Sequence, residues 1–345
     1  MVHTRQSFAV VQHTRQKIAV VQHTRQRIAV VHTRQRVAVV RYMQNTNKQY
    51  FIGAAAVVIG SVLFAGKAVL VRYNYIHFKV DTVPLLALRM LFSAPFYAII
   101  LYFQNRKQSE VPKLTGKEWL WMLAIGLVGY YLASFFDFWG LKFITASVER
   151  LILFIYPTLV VIISAIFLKK PIYKIQYIAL IITYLGVAIS FIPDLQMGMQ
   201  KNLIIGSILI FLSSLTYALY LIGSGEMIPK IGALRFTCYA MLISTVMVTL
   251  HYLVTIGGSL FAYQSGVYYL SITMAVFTTV IPSFLISEGI RRIGSGNASI
   301  IGSIGPIATI IMANIFLGEI INSWQIIGTF VVLGGVLMIS WKGKK

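Results

Sequence analysis

The sequence predicts an all-α membrane protein with ten transmembrane helices arranged as two inverted five-helix repeats. Hydrophobic residues make up 58% of the 345-residue chain and charged residues only 11%. So few charges cannot cover a water-soluble surface, which excludes soluble globular, disordered and coiled-coil classes. Apolar runs of about 20 residues, the length that crosses a bilayer, recur along the chain. The two halves also resemble each other at a constant offset, which predicts the repeat.

The apolar runs define the predicted helices in order. Each run is continuously apolar and lacks the alternating pattern of a membrane barrel strand. The connections are short and leave no room for a soluble domain. The ten runs are 51–71, 83–103, 119–141, 147–168, 175–193, 203–223, 236–257, 268–289, 296–317 and 323–341.

A basic, repetitive segment of 42 residues precedes the first run. The motif His-Thr-Arg-Gln begins at His3 and recurs three times, and residues 1–42 contain eight Lys and Arg but no acidic residue. Its Ala-Val-Val motifs are too short for the core of a secretory signal. Three interpretations stay open: translated DNA upstream of a true start at Met43, a basic arm attracted to anionic lipid, or a histidine-bearing metal tract.

The distribution of basic residues predicts the orientation. The chain carries a net charge of +21 from 30 Lys and Arg against nine Asp and Glu. With the N-terminus in the cytoplasm, fifteen basic residues after Met43 fall on the cytoplasmic side, and Arg72, Lys79, Lys142 and Lys201 fall opposite. The positive-inside rule therefore places both termini in the cytoplasm. The basic charge indicates topology, and no nucleic-acid partner is expected.

The internal repeat has an offset of 149 residues. At that offset Pro157 aligns with Pro306, and Phe167-Leu168 aligns with Phe316-Leu317. The predicted repeats are 43–200 and 201–345. Five helices per copy, an odd number, would invert the second copy in the membrane, which is typical of transporters that work by alternating access. The alternative is a duplication that serves packing alone.

Motifs in both copies resemble one family, the EamA-type branch of the drug/metabolite transporter superfamily. Gly60-Ser61 followed by Lys67 is similar to the family's first-helix pattern, with Ile59 in place of the usual Trp, and Leu88-Arg89-Met90 matches its second helix. The strongest match runs over the second copy. It comprises Pro306, Phe316-Leu317-Gly318-Glu319, Gln325, Gly328 and Gly335.

A narrower resemblance covers 137–154, which is similar to a bacterial subgroup. The first copy departs from the family pattern, because Lys169-Lys170 replace Gly-Glu.

The resemblance implies a secondary transporter of a small organic metabolite in a bacterial cytoplasmic membrane. We expect an amino-acid-like or amphipathic solute, exported by alternating access, with no enzymatic activity and no cofactor. Alternatives are an uptake carrier for a nucleotide-like or anionic solute, and a non-transporting membrane scaffold or sensor. The partners are then the solute and the lipid bilayer. Proton coupling and the oligomeric state stay open.

Ionisable residues inside the predicted helices are the first site candidates. A charge at this depth costs at least about 2.5–3.5 kcal/mol, so such residues are usually paired or functional. The candidates are Lys67, Arg89, Asp137, Glu149 and Arg150. One carboxylate is expected to bind a substrate amine or a coupling proton. As structural alternatives, Asp137 pairs with Arg150 or Lys142, Arg89 pairs with Asp81, and Lys67 reaches the membrane interface.

Polar, aromatic and proline residues complete the candidate set. Tyr130, Ser134, Tyr156, Tyr217, Ser283 and Asn297 are candidates for lining a cavity. Pro157, Pro282 and Pro306 are candidate hinges, because a proline frees a backbone carbonyl, although a fixed kink is the alternative. The sequence has no phosphate-binding glycine loop, no His-Glu-x-x-His and no Gly-x-Ser-x-Gly motif, and no metal site is expected.

Overall fold

The computed structural model describes residues 48–107, 114–144, 146–190, 203–318 and 323–342. Throughout these ranges the regular secondary structure is helical, which confirms the all-α class. The predictions for residues 1–42 and for a start at Met43 lie outside the described residues, and so does Glu319 of the family motif.

The described ranges contain ten helical segments, labelled α1 to α10. α3 and α8 each include a π-helical stretch, and α4 consists of two pieces. The segments are α1 (Lys48–His77), α2 (Thr82–Lys107), α3 (Gly116–Gly140), α4 (Ala146–Leu153 and Tyr156–Leu168), α5 (Lys174–Ser190), α6 (Leu203–Ile231), α7 (Ala233–Thr255), α8 (265–293), α9 (295–317) and α10 (Ser323–Lys342).

The helices differ in length along the chain. In the described part, six continuous helical stretches are long and apolar enough to cross a membrane, and one of them, Ser265–Leu317, contains both α8 and α9. Among the other helices, α4 is broken after Leu153 into two short pieces. The predicted runs therefore correspond to helices, and α4 is interrupted.

The 149-residue offset also relates structural details of the two halves. The second piece of α4, Tyr156–Leu168, corresponds to Gly305–Leu317 of α9, and both are 13 residues long. Each ends at a left-handed residue, Lys169 or Gly318. The π-helical stretch Gly126–Leu132 of α3 corresponds to Val276–Val280 of α8. The two copies therefore share their helix breaks as well as their sequence pattern.

The candidate hinge prolines lie where the helical geometry changes. Pro157 is near the start of the second piece of α4, Pro282 follows the π-helical stretch within α8, and Pro306 follows a 3₁₀ turn within α9. The first N–H groups of a helix have no partner within it, so Pro157 costs the second piece of α4 no hydrogen bond. Gly294, with φ 79° and ψ 159°, separates α8 from α9 in a conformation that suits glycine almost exclusively.

Equivalent helices of the two copies pack against each other. α2 packs closely on α7, and α5 packs closely on α10. Gly186 and Gly335 are related by the repeat and allow the backbones of α5 and α10 to approach. A Cβ at Gly186 would lie 2.6 Å from the Val332 nitrogen, and one at Gly335 would lie 2.5 Å from the Thr183 hydroxyl. Small residues permit such close helix contacts in membranes.

Candidate functional site

Five buried ionisable side chains from four helices form one group, which we call the ion cluster. Lys67 lies on α1, Arg89 on α2, Asp137 on α3, and Glu149 and Arg150 on α4. Each residue is at most 5% exposed. Burying so many charges is costly unless they are paired with one another, so their mutual geometry is informative.

Two ion pairs meet through their carboxyl groups. Lys67 Nζ lies 2.7 Å from Asp137 Oδ2, and Arg150 Nε lies 3.1 Å from Glu149 Oε2. Neither contact has hydrogen-bond angles, which leaves both carboxylates short of well-aligned donors. The Asp137 and Glu149 carboxyl groups lie close enough to interact with each other. Two carboxyl groups in contact favour a single shared proton, because adjacent negative charges repel.

The structure corrects the predicted partners of Asp137. It pairs with Lys67, and the predicted pairing with Arg150 or Lys142 is wrong. Lys142 instead lies 2.6 Å from Asp81. The fold brings α1 against α3, and this contact joins residues 70 positions apart that a local reading of the sequence does not connect.

Arg89 is fully buried and has no carboxylate partner within ion-pair distance among the described residues. Its Nη2 donates a hydrogen bond to Ser134 Oγ at 3.0 Å, and the guanidinium lies 4.7 Å from the centre of the Phe138 ring. Its Nε and Nη1 groups find no acceptor in the described part of the chain. The predicted pairing with Asp81 is therefore wrong, and Arg89 contributes unused donors to the ion cluster.

A narrow cavity with two lobes lies against the ion cluster, and we call it the central cavity. Lobe one has a volume of about 30 Å³, and Arg150, Tyr156 and Ser61 help to line it. Lobe two has a volume of about 10 Å³, and Lys67, Tyr130 and Ser134 help to line it. Each lobe has room for only one or two waters.

Two aromatic rings lie at the junction of the lobes. Phe64 and Tyr217 line both lobes, and their rings stack with centroids 6.0 Å apart and planes 11° apart. Tyr156 packs edge-on against Tyr217 at 5.2 Å, and Lys67 Nζ lies 4.5 Å from the centre of the Phe64 ring. The middle of the cavity is therefore closed by flat rings that a change of helix packing can separate.

One end of the helix bundle is held closed by contacts to the turn between α3 and α4. Tyr75 donates to the Phe138 carbonyl at 2.9 Å, and Arg72 donates to the Leu141 carbonyl at 3.1 Å. The exposed Lys142–Asp81 pair lies at the same end. These contacts tie α1 and the start of α2 to α3.

The opposite end is also closed. Gln176 on α5 donates to Asn297 on α9 at 3.0 Å. Lys230 lies 3.0 Å from Glu118, and Lys170 pairs with Glu226. Glu288 pairs with Arg291 and Arg292 at this end. Side-chain contacts therefore join the helices at both ends of the bundle.

The structure brings most of the candidate residues together. Tyr130, Ser134, Tyr156, Tyr217 and Pro306 line the central cavity beside the ion cluster. Ser283 is buried elsewhere, bonded to Tyr97 at 2.9 Å and to the Val280 carbonyl at 2.8 Å. Asn297 lines a separate recess near the α4–α5 connection, and Pro157 and Pro282 do not line either lobe.

Phe64 and Gly302 are among the cavity residues that the sequence analysis did not single out. Phe64 precedes Lys67 by three residues and so shares its helix face, which is a signal that could have found it. A Cβ at Gly302 would lie 2.6 Å from the Tyr156 hydroxyl.

A larger recess has a different character. It has a volume of about 570 Å³ and lies between α1, α8 and α9. Its walls, which include Leu63, Met312 and Phe316, contain no charged residue. Exposed apolar walls of this kind suit lipid chains, so its size does not make it a solute site.

Comparison with known proteins identifies the family. The model of the EamA-like transporter family matches this chain twice, over residues 51–192 and 204–341. The chain belongs to the EamA-like transporter family. The two matches correspond to the two halves of the helical fold and confirm the two-repeat organisation and the resemblance inferred from the motifs.

Relatives of this family member cover most of the chain. The uncharacterized transporter YcbK of Bacillus subtilis (strain 168) is 30% identical over 301 residues, which span 86% of this chain and 94% of that protein. The uncharacterized transporter YyaM of the same organism is 27% identical over 253 residues, spanning 72% and 81%. A solved crystal structure aligns with a TM-score of 0.66 at 13% identity, covering 85% of this chain and 98% of its own. That likeness concerns the fold alone.

Proposed function

We propose that this EamA-like protein is a secondary transporter that carries a small organic solute by alternating access through the central cavity. The observation that carries the proposal is the ion cluster, which lies buried against the central cavity. Charges at membrane depth usually mark a pathway for substrate or coupling ion. The shared helix breaks of the two repeats support it, because symmetry-related halves can exchange conformations and expose one site to either side.

The Asp137–Glu149 contact supplies a candidate coupling group. A pair of carboxyl groups that shares one proton can release it when solute binds and regain it after solute leaves. Asp137 and Glu149 are held by cations from other parts of the bundle, Lys67 and Arg150, so their spacing depends on helix packing. We propose that proton movement at this pair drives solute flux.

The setting of the transporter follows from charge and family. We propose a bacterial cytoplasmic membrane with both termini in the cytoplasm, which places the Lys142–Asp81 contact on the outer side. Export is the proposed direction, and no catalytic activity is proposed. Uptake of an anionic solute is the second candidate, favoured by the cations Lys67 and Arg150 in the cavity wall.

Flux measurements in proteoliposomes test this function and connect it to the cavity. Purified protein is reconstituted, and labelled amino acids, organic acids and nucleotides are screened for saturable flux. The flux is expected to increase when unlabelled solute is present on the opposite side of the membrane. Gly302→Ala adds a methyl group 2.6 Å from the Tyr156 hydroxyl and is expected to lower that flux about tenfold. Gly334→Ala is the matched control, because Gly334 lies on α10, does not line either lobe, and has nothing within 4 Å of its added methyl.

The outcomes separate cleanly. Saturable flux in the wild type and in Gly334→Ala, with the loss confined to Gly302→Ala, supports transport through the central cavity. Equal flux in both variants contradicts the assignment of the cavity. Absence of saturable flux for every solute class, from protein that elutes as a folded species, contradicts the transport function and favours a scaffold or sensor.

A further inference from the structure

The charged residues that reach the central cavity are both cationic. Arg150 lines one lobe and Lys67 lines the other. The two carboxylates of the ion cluster do not line either lobe, and their side chains are at most 1% exposed. Asp137 and Glu149 therefore pair with the cations on the side away from the cavity. The groups presented to a solute are the ammonium of Lys67 and the guanidinium of Arg150.

The charge of the ion cluster is unbalanced. Lys67, Arg89 and Arg150 contribute three positive charges, against two negative charges from Asp137 and Glu149 when both are ionised. A proton shared by the carboxyl groups raises the excess to two. An uncompensated charge in a buried site is unfavourable, so a bound anion lowers the free energy of the cluster. A cationic solute would add to the excess, and a zwitterion would leave it unchanged.

Unused donors near the cavity fit a carboxylate group. Arg89 bonds to Ser134, which lines the cavity, and its Nε and Nη1 groups find no acceptor among the described residues. The Nη2 of Arg150 makes only a long contact of 3.4 Å to the Ala65 carbonyl. A guanidinium presents a planar pair of donors that matches the two oxygens of a carboxylate.

The remaining walls fit a flat, unsaturated body. The stacked pair Phe64 and Tyr217 divides the cavity, and Tyr156 and Tyr130 add further ring surface. Aromatic rings favour offset-stacked or edge-on contacts with other rings. An aromatic solute can replace the Phe64–Tyr217 contact when the rings separate, and its carboxylate then lies beside Lys67 and Arg150.

Together these features define a substrate class. We propose that the central cavity binds an aromatic monocarboxylate, with Arg150 and Lys67 contacting the carboxylate and the Phe64–Tyr217 pair accepting the ring. This inference rests on the proposed transport function, since it names the solute of the same cavity. It differs from an amino-acid-like solute in requiring a net negative charge.

Binding to the purified full-length protein in detergent tests the proposal without any need for flux. The aromatic monocarboxylates tested are benzoate, phenylacetate and indole-3-acetate. Phenylacetamide, phenethylamine, phenylalanine, cyclohexylacetate and chloride are compared with phenylacetate by titration calorimetry and by thermal shift. Phenylacetate is expected to bind at least about tenfold more tightly than neutral phenylacetamide, because charge-assisted hydrogen bonds are lost in the amide. Phenethylamine is expected not to bind.

Two variants assign the charge recognition. Arg150→Gln is expected to weaken phenylacetate binding about tenfold or more and to leave the weak binding of phenylacetamide unchanged. Arg150→Lys keeps the positive charge but lacks the planar pair of guanidinium donors. It replaces Arg150→Gln in this test if the glutamine variant does not fold. Lys230→Gln removes an exposed cation outside the central cavity and is expected to bind phenylacetate like the wild type.

Several results would overturn the proposal. These are equal affinity for phenylacetate and phenylacetamide, preference for phenethylamine or phenylalanine, cyclohexylacetate or chloride binding as tightly as phenylacetate, or absence of saturable binding by every aromatic monocarboxylate. Saturable flux of a neutral or cationic solute, without binding of aromatic carboxylates, overturns this inference and leaves transport standing. Tight binding of aromatic carboxylates with no flux of any solute supports this inference and contradicts the transport function.

Discussion

Asp137→Asn is expected to lower the free energy of unfolding by about 3–5 kcal/mol and to abolish solute flux. The substitution removes the partner of Lys67, whose Nζ lies 2.7 Å from the carboxylate, and leaves a buried ammonium unpaired. Breaking one side of a buried ion pair has costs of this size. It also removes one of the two contacting carboxyl groups. The measurements are thermal unfolding in detergent and flux in proteoliposomes.

A double variant separates charge from function. Lys67→Met combined with Asp137→Asn removes both charges, so most of the lost stability is expected to return, as for other buried pairs replaced by neutral residues. Flux is expected to stay absent, because the cavity cation and the carboxyl group are both gone.

The exposed pair Lys142–Asp81 is the matched control for this substitution. Asp81→Asn is expected to change stability by about 1 kcal/mol or less, because exposed pairs contribute little. If Asp137→Asn costs no more than Asp81→Asn, the ion cluster is not held together as described.

Glu149→Gln is expected to uncouple flux from the proton gradient. A glutamine amide can donate to Asp137 as a protonated glutamic acid does, but it cannot release a proton. Exchange of labelled for unlabelled solute is therefore expected to continue, whereas accumulation driven by a pH gradient is expected to fall by about tenfold or more. Counterflow and gradient-driven flux, measured on the same proteoliposomes, distinguish the two.

Glu226→Gln is the control for this change, since Glu226 pairs with Lys170 at one end of the bundle and lies about half exposed. Gradient-driven accumulation is expected to survive in that variant. Retention of full gradient-driven accumulation in Glu149→Gln would place the coupling proton elsewhere.

Local sequence patterns were sufficient to predict the helices and their repetition. Apolar runs and the 149-residue offset depend on neighbours along one helix, and they anticipated that Tyr156–Leu168 and Gly305–Leu317 would correspond. The π-helical stretches left no comparable signal, because Gly126–Leu132 and Val276–Val280 have the same apolar composition as the α-helix around them. Their position depends on how the helices pack.

The candidate site was predictable in its members but not in its pairing. Charged residues at membrane depth are rare, so the sequence alone is enough to recognise the members of the ion cluster as candidates. These are Lys67, Arg89, Asp137, Glu149 and Arg150. The Lys67–Asp137 pair joins α1 to α3, a contact that only the packed bundle creates. Ser283 and Asn297 were chosen by polarity alone, which does not reveal whether a helix face meets the central cavity or another helix.

The most direct test of transport through the central cavity is thiol labelling from each side of the membrane. Cys238, the single cysteine of the chain, is replaced by alanine, and Ser61→Cys introduces one thiol in the wall of the central cavity. Ser244→Cys, in a fully buried position that does not line either lobe, is the control and is expected to stay unlabelled. With a membrane-impermeant thiol reagent applied to vesicles of each orientation, Ser61→Cys is expected to react from both sides. Labelling from one side only, or from neither, would contradict alternating access through this cavity.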